Sequence, residues 1–421
     1  MKMDAANTGH PPRTPTRPAR ARAAALPFRA LGRYAWPRTP VNRGVDKLRG
    51  RLRGLWTSKD SPAGIDKGRL EPVSAARLDR LAPAPAHAPV HAELDATLRD
   101  WIADPGSLVR RQTLVLPPCD REDLVGSWAA ERGLQVFGTD RREAELDALD
   151  DADADPLVIP KLERRFLRTR DGLAGMRRLI DRIAAMERRT VIGCNSWAWQ
   201  FLRKSCEIDL VFADPVTFRA YDRERLRAWL GALAHGPKSE NGEVDGEGTV
   251  CFRAVQNGRD VFGNGDGETE LSAYMTDLAK RSLGIPWVAW HVWRDSLRVE
   301  IAPEEERAGP FPQPGPAKEA LAGDAPPDRR TLWVTDASAP SVPSRGDQNA
   351  LLVLHALLIH GGLTQDQIGQ TVPLVSYTNV LASLVGGGLI DRTDGLYRCV
   401  PAAYPAVRDA LGNNGYPVDV L

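Results

Sequence analysis

Long apolar runs are missing from this 421-residue chain. Spanning a bilayer takes about 18 or more consecutive apolar residues. The longest stretch, residues 350–359, is shorter than that and is broken by His355. No transmembrane helix is expected. Cysteine is scarce as well: Cys119, Cys194, Cys206, Cys251 and Cys399 are scattered, and no two stand at metal-ligand spacing. An odd count is a poor disulfide framework, so a reducing, cytoplasmic compartment fits best and no metal site is expected. No serine or cysteine lies in a nucleophile motif. His235, His291, His355 and His360 are mostly far apart, and the last two stand five apart, outside the usual helical neighbour spacing. Both read as structural. The Gly-rich residues 263–267 match neither a dinucleotide nor a calcium loop and read as a turn.

What is present is unevenly charged. The net charge is only +1, yet residues 1–60 hold 14 Lys/Arg against 3 Asp/Glu, a net +11, which leaves −10 for the remainder. A basic tail precedes an acidic body. Residues 1–95 are rich in Pro, Ala and Arg and too poor in apolar groups to offset the entropy of ordering, so they read as a disordered basic tail and linker. Within them, Phe28, Tyr34 and Trp36 interleave with arginines over residues 19–36, and residues 45–56 form a short basic amphipathic stretch. Residues 1–60 suit an anionic membrane surface, nucleic acid or an organellar transit peptide, or simply form a solvated tail. Attachment through them would make the protein peripheral to a membrane.

From residue 96 the apolar pattern alternates short strands with helices, which predicts an α/β core with a mainly parallel sheet over 96–235. Strands are expected at residues 113–116, 134–137, 157–159, 190–194 and 208–212. Helices are expected at 120–132 and 222–233, with a further stripe at Leu173, Met176, Ile180 and Ile183. Residues 236–300 read as a helical region in which Trp287, Trp290 and Trp293 mark a core-facing stripe. Residues 301–346 read as a linker. Residues 347–421 show three helices and then a two-stranded hairpin turning at Asp394-Gly395, the order of a winged helix-turn-helix.

The centre resembles a divergent P-loop NTPase of the AAA+/STAND group. The residues that carry the resemblance are Val158-Ile159-Pro160-Lys161-Leu162-Glu163 at the Walker B place and Thr190 to Asn195 as the next strand, ending in a polar sensor. Asp214 to Phe218 precedes a lid formed by 236–300. The resemblance implies ATP and magnesium, but the loop that should read GxxxxGK[ST] reads Leu116-Pro117-Pro118-Cys119-Asp120-Arg121-Glu122-Asp123-Leu124. Glycines, the Gly-Lys pair and the terminal hydroxyl are gone, two prolines remove N–H donors, and three acids face the phosphates. At an effective dielectric of ~20, each like-charge pair at ~4 Å costs about 4 kcal/mol. The intact Walker A motif is thus lacking, and no cofactor is expected. The remaining site candidates are Glu163 and Asn195 as catalytic groups, and Arg121 and Asn195 as nucleotide contacts. Glu163 also reads as an exposed carboxylate in a charged helix start, and Asn195 as a helix cap.

The C-terminal unit carries six Asp against three Arg over 347–421, and its third helix, expected at 376–384, has no basic residue. A DNA-reading helix neutralises phosphates with Lys/Arg, so packing on the core or on a partner protein is favoured. Together these features predict a non-catalytic, ATPase-derived regulatory or scaffold protein acting through protein contacts. The alternatives are an unconventional NTPase and a nucleic-acid-binding regulator working through the tail.

Overall fold

The computed structural model describes residues 27–37, 65–83, 87–138, 149, 155–235, 251–262, 268–301, 331–336, 340–343 and 347–421. In chain order they form β1 (Phe28–Ala30), β2 (Leu70–Pro72), α1 (Ala75–Leu81), α2 (Ala88–Ala103), β3 (Arg111–Leu116), α3 (Leu124–Glu131), β4 (Leu157–Ile159), α4 (Arg170–Ala185), β5 (Thr190–Asn195) and α5 (Ser196–Cys206). There follow β6 (Val216–Phe218), α6 (Arg223–His235), β7 (Cys251–Ala254), α7 (Glu268–Arg281), α8 (Pro286–Asp295), β8 (Leu297–Glu300) and β9 (Thr331–Val334). The C-terminal part holds α9 (Gln348–His360), α10 (Gln365–Thr371), α11 (Val380–Gly386), the hairpin β10 (Ile390–Thr393) and β11 (Leu396–Cys399), and α12 (Tyr404–Asn413).

The main sheet has the order β1-β6-β3-β5-β4, with only β1 antiparallel to its neighbour. Its interior strand β5, between β3 and β4, is buried at every position. That is what a parallel strand covered on both faces requires, and it explains an apolar run without alternation. Helix α4 lays Met176, Leu179, Ile180 and Ile183 into the core, with Thr169 as its side-chain cap. The expected mainly parallel α/β core is therefore present. Two strand expectations change. Residues 134–137 give only an isolated parallel bridge, Val136 to Val158, at the open edge beyond β4. At residues 208–212 there is no strand but a 3₁₀ turn over Ile208–Leu210. Ile208 and Phe212, both fully buried, stand four apart, so they share a helical face rather than alternating. The strand at that place is β6.

The larger correction concerns the tail, the lid and the linker. The 1–95 stretch contains β1, β2, α1 and the start of α2. Phe28 and Tyr34 are buried, and the Tyr34 ring packs edge-on to Phe218 at 5.8 Å. A few aromatics at the right places outweigh a polar average, because each removes a large apolar area from water. The 236–300 region is not purely helical, and 301–346 is not wholly linker. Strand β2 from the presumed tail, β7 and β8 from the presumed lid and β9 from the presumed linker make a second sheet in the order β2-β8-β9-β7. Trp293 of α8 seals it, its ring 5.5 Å from Phe252 and 5.9 Å from Phe262. Trp287, Trp290 and Trp293 are all buried. The remaining calls on residues 1–26, 38–64, 139–148, 150–154, 236–250, 263–267 and 302–330 lie outside the described residues. Among the described residues no helix is long and apolar enough to cross a membrane.

Candidate functional site

Open parallel sheets bind ligands in the crevice outside the carboxyl ends of their strands. Here the register sets Leu116 of β3 opposite Asn195 of β5, and Ile159 of β4 opposite Ile192. The segment after β3, the segment after β4 and the head of α5 therefore meet at one level. They bring Asp120, Arg121, Lys161, Glu163 and Asn195 around a single small cavity or its rim.

The loop after β3 binds itself. In a phosphate-binding loop the free N–H groups at the helix start point at the anion. In this chain the Asp120 carboxylate accepts from Leu124 N at 2.8 Å, and the Asp123 carboxylate accepts from Gly126 N at 3.2 Å. Asp123 takes a left-handed conformation, φ 54°, to reach that position. The cation opposite them is Lys161. It is buried, its Nζ donates to Asp120 O at 2.9 Å, and it lies 3.9 Å from Asp123 Oδ1. The three acids that looked hostile to a triphosphate thus include two that take the place of one, with a lysine supplied from the strand β4 side. The Trp287 indole closes the loop from α8, donating to Pro118 O at 2.9 Å.

Glu163 is not an exposed carboxylate: it is only 5% exposed. One of its oxygens accepts from Asn195 N at 3.1 Å. Burial, partly offset by the Lys161 ammonium, pushes its carboxyl up to about 7. Asn195 is the cap of α5, its Oδ1 accepting from Ala198 N at 2.8 Å. Its amide donates to Ile359 O at 3.1 Å, the last turn of α9. Gly361 follows with φ +64°, lying against Glu163 and Asn195. Glu163 is therefore spent on the backbone of Asn195, and the Asn195 amide on the C-terminal unit. The third candidate, Arg121, is also spent on the C-terminal unit: it pairs with Asp391 of β10 and donates to Cys399 O at 3.4 Å. The Cys119 thiol meets Cys399, and this hydrogen bond together with burial holds it well above the ordinary thiol range.

A second constellation gave no sequence signal. Asp419, 2% exposed, accepts from Ser196 Oγ at 2.6 Å, Tyr404 Oη at 2.9 Å and Arg408 Nε at 2.7 Å. Trp197 Nε1 donates to the same Tyr404 hydroxyl at 3.2 Å. Arg408 also covers the Trp36 ring at 4.4 Å, and Tyr34 N donates to Leu421 O at 3.2 Å. The N-terminal strand, α5 and the C-terminal segment are knotted at one buried carboxylate. A run such as YPVDVL marks nothing by itself; only the fold assembles the partners. His355 and His360 are structural: Arg168 donates its backbone N–H to His360 Nε2 at 3.3 Å, and burial pushes His355 down to about 4.

The cavity at the strand ends is about 30 Å³. That is room for about one water, whereas organic ligands occupy pockets of about 300–1,000 Å³. Among the described residues no group of three or more His, Cys, Asp or Glu could hold a metal ion.

No family model matches the chain, and no curated protein matches it in sequence. Among solved structures, it is similar to the ORC2 protein of Aeropyrum pernix, described as ADPNP–ADP complexes. That match has 12% identity, covers 86% of this chain and 98% of that one, and has a TM-score of 0.34. It is also similar to CDC6P from Pyrobaculum aerophilum at 12% identity, covering 84% of this chain and 98% of that one, with a TM-score of 0.30. Superpositions this loose assign neither a family nor an activity.

Proposed function

We propose that this chain is a non-hydrolysing, P-loop-derived scaffold that works through contacts with other proteins. One observation carries the reading: the helix start that would hold a phosphate is capped by Asp120 and Asp123, with Lys161 as their internal cation. An anion entering there must displace two carboxylates and meet their charge. The unit over 347–421 acts as a winged helix used for packing. Support comes from the bonds that join it to the core through Asn195, Arg121 and Asp419. Arg121 is held by Asp391, which weighs against an unconventional NTPase grip.

Thermal unfolding with and without ATP and magnesium tests the reading. A ligand at 100 times its Kd stabilises by about 2.7 kcal/mol, so micromolar binding is readily seen at millimolar nucleotide. The expected result is an unchanged midpoint and no turnover. Saturable stabilisation that is lost in Asn195→Ala would overturn it. The basic tail, residues 1–60, is proposed to attach the scaffold to a polyanion, nucleic acid or a membrane surface. Because β1 and the buried Phe28 and Tyr34 lie within this stretch, the test removes residues 1–26 alone, which is expected to weaken salt-sensitive retention on DNA or on anionic vesicles.

A further inference from the structure

A second cavity, of about 430 Å³, opens where β1, the end of β6, the start of α6 and one face of α7 come together. Its size lies in the range of small-molecule sites, and it is separate from the small cavity at the ends of β3, β4 and β5. Its apolar wall is Tyr34, Pro37, Phe218, Ala220 and Ala279. Both rings, Tyr34 and Phe218, are fixed by burial and by their mutual edge-on contact.

Around that wall stand Arg29, Arg33, Arg219, Arg223 and Lys280, against Asp222 and Glu224. The two acids are already engaged. Asp222 caps α6, accepting from the N–H groups of Glu224 and Arg225 at 3.1 and 3.0 Å, and Glu224 pairs with Arg223 at 3.6 Å. Among the described residues, Arg29, Arg33 and Lys280 make no ion pair or side-chain hydrogen bond, and Arg219 makes neither but stands within electrostatic reach of the Glu93 carboxylate, which Arg225 already pairs. Four cations thus converge on one concavity from three elements with little counter-charge among the described residues, in a body whose charge beyond residue 60 is net negative. Like charges gathered in excess of their counter-charges repel one another, and an anion placed among them relieves that repulsion. Guanidinium groups match the oxygens of a phosphate in paired fashion, and a lysine adds a point charge.

We infer that this cavity binds an organic phosphate, its head on Arg29, Arg33, Arg219 and Lys280 and its carbon body on Tyr34, Phe218 and Ala279. The source of such a group is a soluble phosphate ester or a lipid headgroup. The apolar wall gives an ester an advantage over inorganic phosphate. The site is independent of the self-capped loop, in which none of its residues takes part, and it shares Arg29 and Arg33 with the basic stretch over 1–60.

Isothermal titration of the full chain with phenyl phosphate, and with inorganic phosphate, reads the site directly. Phenyl phosphate is expected to bind saturably with Kd below about 1 mM and at least about tenfold more tightly than inorganic phosphate. Arg33→Gln and Arg219→Gln, both at exposed positions, are each expected to weaken it about tenfold with an unchanged thermal midpoint. Arg99→Gln, an exposed arginine on α2 away from the cavity, is expected to leave it unaltered. Sedimentation with phosphatidic acid vesicles identifies the source. Vesicle binding that phenyl phosphate displaces and that Arg219→Gln weakens assigns the lipid headgroup; vesicle binding that neither alters belongs to the basic tail, and with it, or with no vesicle binding, the soluble ester is assigned. Equal affinity for phenyl and inorganic phosphate, equal losses in all three variants, or no saturation each overturns the inference.

Discussion

Glu163 shows how a single residue reports the state of the site. Its carboxyl is raised to about 7 in the folded chain from an ordinary 4.5. The folded protein therefore holds a proton that the unfolded chain has released. Stability from this group is fully present below pH 4.5 and is lost as pH rises to about 7, after which the deficit is constant. Glu163→Gln keeps an acceptor for Asn195 N and removes the titration. Relative to the parent it is expected to match at pH 4 and to gain up to about 3 kcal/mol at pH 8, as read by urea unfolding at each pH. Buried histidines work in the opposite direction. His355 at about 4 and His291 at about 3 are held below 6.5 by burial, so the stability they contribute is present above pH 6.5 and falls away as pH drops through those values. A gain for Glu163→Gln that is equal at pH 4 and pH 8 would contradict the buried-carboxyl assignment.

At the scale of elements, the close approach of β4 and β5 is set by one glycine. A Cβ at Gly193 would stand 2.1 Å from Pro160 O and 3.2 Å from Val125. The obstacle is backbone, so it cannot swing aside. Gly193→Ala is expected to cost at least about 2 kcal/mol in a urea midpoint series, by pushing the Lys161 segment away from the strand ends. The parallel core strands and the helices after them were legible in the sequence because buried strands are continuous apolar runs and α4 carries a clear stripe. The second sheet was not. Its strands are only 3 or 4 residues long and lie far apart in the chain, so no local pattern distinguishes them from linker. Of the candidate site, the residues Arg121, Glu163 and Asn195 were legible as a cluster to come. What they bond to was not, since Ile359, Asp391 and Cys399 belong to a unit that begins more than 150 residues later. Lys161 stood in the sequence only as one residue of the segment at the Walker B place; its role as internal counter-charge needed the geometry.

At the scale of the molecule, core and C-terminal unit share buried polar bonds rather than a loose linker. Asp419 anchors one of these, accepting from Ser196 of the core and from Tyr404 and Arg408 of its own unit with almost no exposure. Removing one member of such a buried set leaves the others unsatisfied. Asp419→Ala is expected to lower stability by about 3–5 kcal/mol. Calorimetry of the parent is expected to show one transition for core and C-terminal unit together, and the variant to separate it into two. A parent that already melts in two steps would mean that the units are only apposed. The second sheet carries a consequence for synthesis. Leu70 of β2 pairs with Glu300 of β8, about 230 residues further on. At ribosomal rates of about 5–20 residues per second, the first strand waits on the order of tens of seconds for its partner. Nascent chains halted before residue 297 are therefore expected to expose residues 65–83 to protease, and chains carried past residue 334 to protect them. Such a protein is vulnerable longest while it is being made, and needs shelter then more than at any later time.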